Sequence, residues 1–292
     1  MSTVPELLVD VNCAVGEGPS WEDRDQALLW VDLIPGDVYR LSLTTGGVDR
    51  MRLERPASAV LPRVSGGYVL TLPDGLYALG RIEQGAQLEL LCPVESELSQ
   101  NSINDAKCDP AGRLWAGTLA RGWIPEAGSL YRIGADLSVT WVLGGTTISN
   151  GLGWSPDSTR MYFADSAPGT VDAFDYDVAT GEVSRRRRFA DLAADVGSPD
   201  GLCVDAEGGV WVAVFRGSAV HRYAPDGTLD RIVAMPTPLV TSCCFGGPDL
   251  AHLYVTTATV ELPPDERTVR GAGALYVLEP GVQGLPTAAF GG

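Results

Sequence analysis

Six stretches of this chain are variations on one unit, and that repetition limits the fold more than any other feature. Aligned, they read "DRDQALLWVD", "RVSGGYVLT", "DPAGRLWAGT", "SPDSTRMYFAD", "DAEGGVWVAV" and "GPDLAHLYVTT". Each is a polar turn followed by a strand with an aromatic at Trp30, Tyr68, Trp115, Tyr162, Trp211 or Tyr254, at intervals of 38, 47, 47, 49 and 43 residues. A second strand follows each, as in "DVYRLSL" and "AVHRYAP", and most continue through a turn into a third. A short strand precedes each aromatic one, as in "NDAKCD" and "DGLCVD". Four strands every ~40–50 residues are the arithmetic of a propeller blade. No stretch combines a sustained 3.6-residue apolar period with caps, so helix is expected to be scarce. The sequence therefore predicts an all-β, six-bladed β-propeller occupying residues 1–292 as one domain. Residues 4–14, "VPELLVDVNCA", are left over. They are expected to form a strand that closes the ring against the outer edge of the last blade, at "GLPTAAF", and hides an open edge.

The first strand of every blade lines a propeller's central channel, so equivalent positions form a ring around the axis. Counting four residues back from Trp21, Val64, Cys108, Trp154, Val204 and Phe245 gives Glu17, Val60, Asn104, Asn150, Asp200 and Thr241. This explains why a carboxylate, Asp200, stands between Pro199 and Gly201 at the mouth of an apolar strand. Glu17, Asn150 and Asp200 point at one axial spot, where two buried carboxylates repel unless a cation lies between them. Their hard oxygens suit one divalent cation, Ca, Mg or Mn best, with Zn and Fe(II) also compatible. The plain alternative is that "EGP", "NG" and "PDG" only form turns. Asp105 fits either role, as a hydrogen-bond partner beside Asn104 or as a turn former.

Composition removes several functions. With 21 basic and 37 acidic residues the formal charge is −16, the wrong sign for nucleic acid or an anionic membrane. The run Arg185–Arg188 reads as a solvated outer strand. The six cysteines have no metal-ligand spacing and read as reduced and buried. Of two histidines, His221 takes a packing position and His252 a turn, so a Ser-His-Asp or His-metal centre is not expected. No G-x-S-x-G or phosphate-binding loop occurs. No basic-then-apolar leader opens the sequence and no apolar run reaches the ~18 residues of a membrane span. The expectation is a soluble, cytoplasmic protein, a monomer or weak homodimer, acting on a small molecule.

The stretches "VGEGPSW", "LLWVDL", "INDAKCDPAGRLWAGT", "SNGLGWSPDSTRMYFAD", "SPDGLCVDAEGGVWVAV" and "TSCCFGGPDLAHLYVTTA" together resemble the family of senescence marker protein 30 (regucalcin), gluconolactonases and luciferin-regenerating enzyme, in order and from about residue 7 to 280. The resemblance implies a six-bladed propeller with one divalent metal in its channel and, in many members, hydrolysis of sugar lactones. Matched by motif, it implies Glu17, Asn150 and Asp200 as metal ligands, Asn104 as the asparagine that approaches substrate or a metal-bound water, and Asp200 also as general base. Two positions depart from it. Where sugar-lactone members commonly carry Arg, two residues before the Asn of "ND", this chain has Ser102. Where they often have an acid after "GT", it reads "LARGW". Arg121 and Trp123, and with them Glu126, Arg216 and Glu261, lie in loops expected to rim the same mouth, and Trp123 would favour a less polar ester or lactone. The reading is a metal-dependent lactonase. Two alternatives stand beside it: hydrolysis of another ester or a phosphotriester, and a metal-binding propeller without turnover.

Overall fold

The computed structural model describes residues 3–292, which form strands and turns with no helix. After β1 (Glu6–Val9), the first blade comprises β2 (Gly16–Glu22), β3 (Ala27–Asp32), β4 (Asp37–Ser42) and β5 (Val48–Arg52). The second comprises β6 (Ala59–Pro62), β7 (Tyr68–Leu72), β8 (Gly75–Leu79) and β9 (Leu88–Pro93), and the third β10 (Asn101–Cys108), β11 (Leu114–Ala120), β12 (Gly128–Ile133) and β13 (Val139–Thr146). The fourth holds β14 (Ser149–Trp154), β15 (Arg160–Asp165), β16 (Thr170–Asp177) and β17 (Glu182–Asp191), and the fifth β18 (Ser198–Val204), β19 (Val210–Phe215), β20 (Ala219–Tyr223) and β21 (Leu229–Ala234). In the sixth, β22 (Val240–Gly246), β23 (His252–Thr257) and β24 (Leu275–Leu278) come from the end of the chain, and β1 adds the fourth strand.

β1 pairs with β24, Leu7 opposite Tyr276, and not with "GLPTAAF" as the sequence led us to expect. That segment does a different job. Gly284 bridges to Asp205 in the fifth blade, while Phe290, fully buried, bridges to Arg63 in the second. Its many small and proline residues do not alternate, so it crosses the channel as a strap instead of extending a sheet. His252 likewise opens β23 and does not sit in a turn.

The repeated aromatics hold the blades together. All six lie at 6% exposure or less. Three of them reach an inner strand of the next blade: Trp115 packs with Trp154 and Trp211 with Phe245, edge-on at 6.0 Å, and Tyr254 stacks on Trp21 at 6.3 Å. Such pairs add about 0.5–1.5 kcal/mol each to the burial of apolar area. The turn acid of the repeat supports the same indoles. Asp205, wholly buried, accepts from the N–H groups of Glu207 and Gly209 through Oδ1, and from Trp211 Nε1 (2.8 Å) and Arg222 Nε (2.7 Å) through Oδ2. Asp109 makes the equivalent bonds to Ala111, Arg113 and Trp115 Nε1. The arginine run lies in β17, where Arg186 and Arg188 grip Asp172 and Arg185 and Arg187 pair with Asp175. The cysteines are all free and buried.

Substituting Asp205 by Ala strands an indole and two amides and leaves Arg222 only its Glu207 and Asp230 partners, so a loss of about 3 kcal/mol in urea unfolding is expected. Asp226→Ala, at an exposed turn where Oδ1 only receives the Thr228 N–H, should cost far less. Equal losses would show that the buried network is not what ties the turn to the blade.

Candidate active site

The ring residues stand where the inner strands depart from regular pairing. Partner register skips between Glu17 and Ser20, Ile103 and Asp105, Ser149 and Leu152, Pro199 and Leu202, and Val240 and Ser242. Only the second blade pairs without a skip, and there the position is the buried, apolar Val60. A bulge re-aims side chains that the pleat would send into the blade. At Asn104 it brings consecutive residues, Asn104 and Asp105, toward the axis.

The glycines that follow site residues settle the question of turns. Gly151 and Gly201 have ordinary negative-side backbone angles and lie within β14 and β18. A Cβ on Gly151 would come within 2.6 Å of the Asp200 carbonyl oxygen, and one on Gly201 within 2.0 Å of Ser242 Oγ. They are glycine because adjacent inner strands touch there, so Asn150 and Asp200 are held on strands and are not turn formers.

Glu17, Asn150 and Asp200 are each at least nine-tenths buried. Asn150 Nδ2 donates to Ser166 Oγ at 3.0 Å, which fixes the amide, but Asn150 Oδ1 and Asp200 Oδ1 have neither solvent nor a donor. Burial pushes the Glu17 carboxyl well up, reinforced by the charges of Asp200 and Asp105. Burial and Asp105 do the same to Asp200, against the Asn150 side chain and the Gly201 N–H. Asp105 is raised by burial too, opposed by Lys107. Two orphaned oxygens beside two carboxylates that resist ionising fit a hard divalent cation. No three His, Cys, Asp or Glu side chains among the described residues meet as a ligand set, so a cation at this spot would draw on the Asn150 amide oxygen beside the carboxylates.

The remaining ring positions are filled otherwise. Thr241 Oγ1 donates to the Gly16 carbonyl, tying the sixth blade to the first. Asn104, half-buried, donates through Nδ2 to the Ser149 carbonyl at 2.9 Å, bridging the third and fourth blades. Ser102 is half-buried in β10 opposite Leu119. Arg121 is exposed just beyond β11. Trp123 projects at 57% exposure from a backbone with φ +55°, and Ile124 beside it is 50% exposed. Arg216 and Glu261 spend their charges on each other in a bidentate pair at 2.7 and 2.8 Å, and Glu126 uses its N–H on Thr147 Oγ1. His221 is buried in β20, with its basicity lowered by burial, apart from the ring.

Lys107 was not singled out from the sequence. It sits two residues beyond Asp105 on β10 and crosses to the Leu202 carbonyl of the fifth blade. The alternation in "NDAKC" places Asp105 and Lys107 on one face, and that was the signal available.

Comparison with known proteins agrees with this geometry. The pattern of the SMP-30/Gluconolactonase/LRE-like region matches residues 15–259, which contain Glu17, Asn104, Asn150 and Asp200. The chain belongs to this family. Regucalcin of Oryctolagus cuniculus is 40% identical over 296 residues, covering 98% of each chain. Among solved structures, luciferin-regenerating enzyme superposes with a TM-score of 0.91 at 32% identity, covering 98% of this chain and 99% of that one. A regucalcin of Agrobacterium tumefaciens, described as a calcium-binding protein, gives the same TM-score at 29% identity over 97% and 96% of the two chains. Six four-stranded blades are thus the family's architecture.

The raised carboxyls make a signed prediction. In cation-free protein Glu17 holds a proton in the folded state over a pH range where the unfolded chain has released it. Stability contributed by this group is therefore lost as pH rises through its folded-state pKa. Without divalent cation the melting temperature should fall as pH climbs above the ordinary carboxylate range, and Ca²⁺ should raise it most at the upper end of that range. Glu17→Gln should flatten the cation-free slope and abolish most of the Ca²⁺ shift; an unchanged shift would remove Glu17 from the ligand set.

Proposed function

We propose that the chain is a divalent-cation-dependent hydrolase of small lactones. The observation that carries this reading is the convergence of Glu17, Asn150 and Asp200, with two unpartnered buried oxygens, in a chain whose family includes gluconolactonases. Glu17, Asn150 and Asp200 would hold the cation, with Ca²⁺ favoured by the hard oxygen set. When bound, it supplies Lewis-acid polarisation of the acyl group and makes water a better nucleophile. Asp200 has one oxygen free of protein donors and a carboxyl made basic by burial, which suits it to take a proton from an attacking water. Asn104 is fixed by its bond to Ser149 and borders the same spot, where a side-chain amide orients the ester. Asp105 shares the buried volume, but its Oδ1 already accepts the Ala106 N–H, and His221 lies apart from the ring in β20.

The substrate side favours a lactone less hydroxylated than a sugar lactone. Ser102 offers one short hydroxyl where a guanidinium fork would satisfy several substrate hydroxyls, and Trp123 and Ile124 expose apolar surface beyond β11. Purified protein loaded with Ca²⁺ should hydrolyse aliphatic lactones faster than gluconolactone in a proton-release assay, and a phosphotriester and an aryl ester serve as outgroups. Asp200→Ala should lower kcat/KM by about a thousandfold or more and Asn104→Ala by roughly a hundredfold. Ser102→Arg should shift the preference toward gluconolactone. Turnover that survives Asp200→Ala would refute the mechanism, and silence toward every lactone with Ca²⁺ bound would favour a binding propeller without turnover.

A further inference from the structure

A cavity lies below the carboxylate ring, on the side of the strap. It measures ≈ 380 Å³ and is enclosed by the lower halves of the inner strands, with the strap residues Leu285–Ala288 as its floor. The size is that of a small-molecule site. Leu61, Leu152, Trp154, Phe245 and Leu285 give it largely apolar walls. The one cationic side chain lining it is Lys107. Among the described residues no carboxylate lies within ion-pair distance of that ammonium, and its hydrogen-bond partner is the neutral Leu202 carbonyl. An ammonium carries three donors, so it enters the cavity with capacity to spare. The acid of the cavity, Asp105, is two residues higher on β10, roughly 7 Å toward the ring, with Oδ1 engaged by the Ala106 N–H.

We propose that this lower chamber is a second binding site, distinct from the ring, for a short-chain monocarboxylate whose carboxylate bonds to Lys107 and whose alkyl chain lies along the walls toward the strap. The pairing is physical. Asp105 and Glu17 feel the Lys107 charge but do not touch the ammonium, so its spare donors gain from a charge-assisted acceptor in the cavity, and walls of Leu, Trp and Phe reward an alkyl chain over hydroxyls. The occupant is separated from the ring by Asp105, whose charge repels a carboxylate seated any higher. The site does not depend on the lactonase reading, since none of the ring ligands forms it.

Isothermal titration of the full chain in Ca²⁺-containing buffer, with hexanoate, hexanol and gluconate as probes, tests it. Hexanoate should bind about tenfold or more tightly than either hexanol, which lacks the charge, or gluconate, which lacks the apolar chain. Lys107→Met keeps the length of the side chain and should weaken hexanoate about tenfold while leaving hexanol unchanged. Ala288→Trp fills the chamber from the strap and should abolish both. Absence of hexanoate binding, equal binding of gluconate, or hexanoate affinity unchanged in Lys107→Met would overturn the proposal. Should Lys107→Met melt well below the parent chain, Ala288→Trp decides alone: hexanoate binding that persists there also overturns it.

Discussion

The close approach of inner strands at the axis is the constraint from which the rest of the channel follows. Two glycines permit it: at Gly151 and Gly201 no side chain of any size fits between neighbouring blades. With the strands that near, residues at the bulges of the first, third, fourth and fifth blades share one small, water-poor volume. Charge there is expensive, and a cation costs less than leaving the oxygens unpaired. The chemistry of the site is thus a consequence of how tightly the ring is drawn.

That arrangement divides the molecule into a costly centre and a stabilising periphery. At the centre burial raises the Glu17, Asp105 and Asp200 carboxyls, and two oxygens go without donors. Outside it nearly every buried acid is overdetermined. Asp37 is gripped by Arg50 and Arg52, Asp172 by Arg186 and Arg188, and Asp32 and Asp165 each accept two backbone amides from the loop leading into the inner strand of their own blade. The contrast matters for Asp37, held below the ordinary carboxylate range: burial alone would raise it, but the two guanidiniums outweigh burial. A buried aspartate is therefore favoured as a charge where guanidiniums grip it, as at Asp37, and disfavoured at the axis; two backbone amides alone, as at Asp32, do not outweigh burial.

The blade count, the aromatic positions and the placement of Glu17, Asn104, Asn150 and Asp200 on inner strands were legible in the sequence because each rests on a local period repeated along the chain. What could not be read depends on contacts between distant segments. β1 was foreseen as a strand, but its partner was not, since both "ALYVL" and "GLPTAAF" end the chain near the sixth blade and only packing decides between them. Proline and small residues made the second a poor strand, a cue that was available and outweighed by position. Lys107 was missed because a lysine in an apolar strand reads as a solvated residue; its place in the channel, bonded to the Leu202 carbonyl, appears only when the inner strands of separate blades stand side by side. Arg216 and Glu261 were candidates for substrate selection by loop position alone, and their mutual pairing is invisible without the fifth and sixth blades side by side.

The strap completes this logic. A propeller with a strand closing its rim still has a channel open at both ends, and a small molecule or water entering from below would hydrate the orphaned oxygens of Asn150 and Asp200. Residues 284–290 narrow that end by running from Gly284 at Asp205 to Phe290 at Arg63, anchored by hydrogen bonds from Gly284 N to Leu250 O and from Phe290 N to Pro62 O. Because its anchors lie in the second, fifth and sixth blades, the strap also resists the ring's opening along a diameter, where β1 resists it only at one seam. Closure of the ring and the lining of the chamber below it are in this way two results of the same segment.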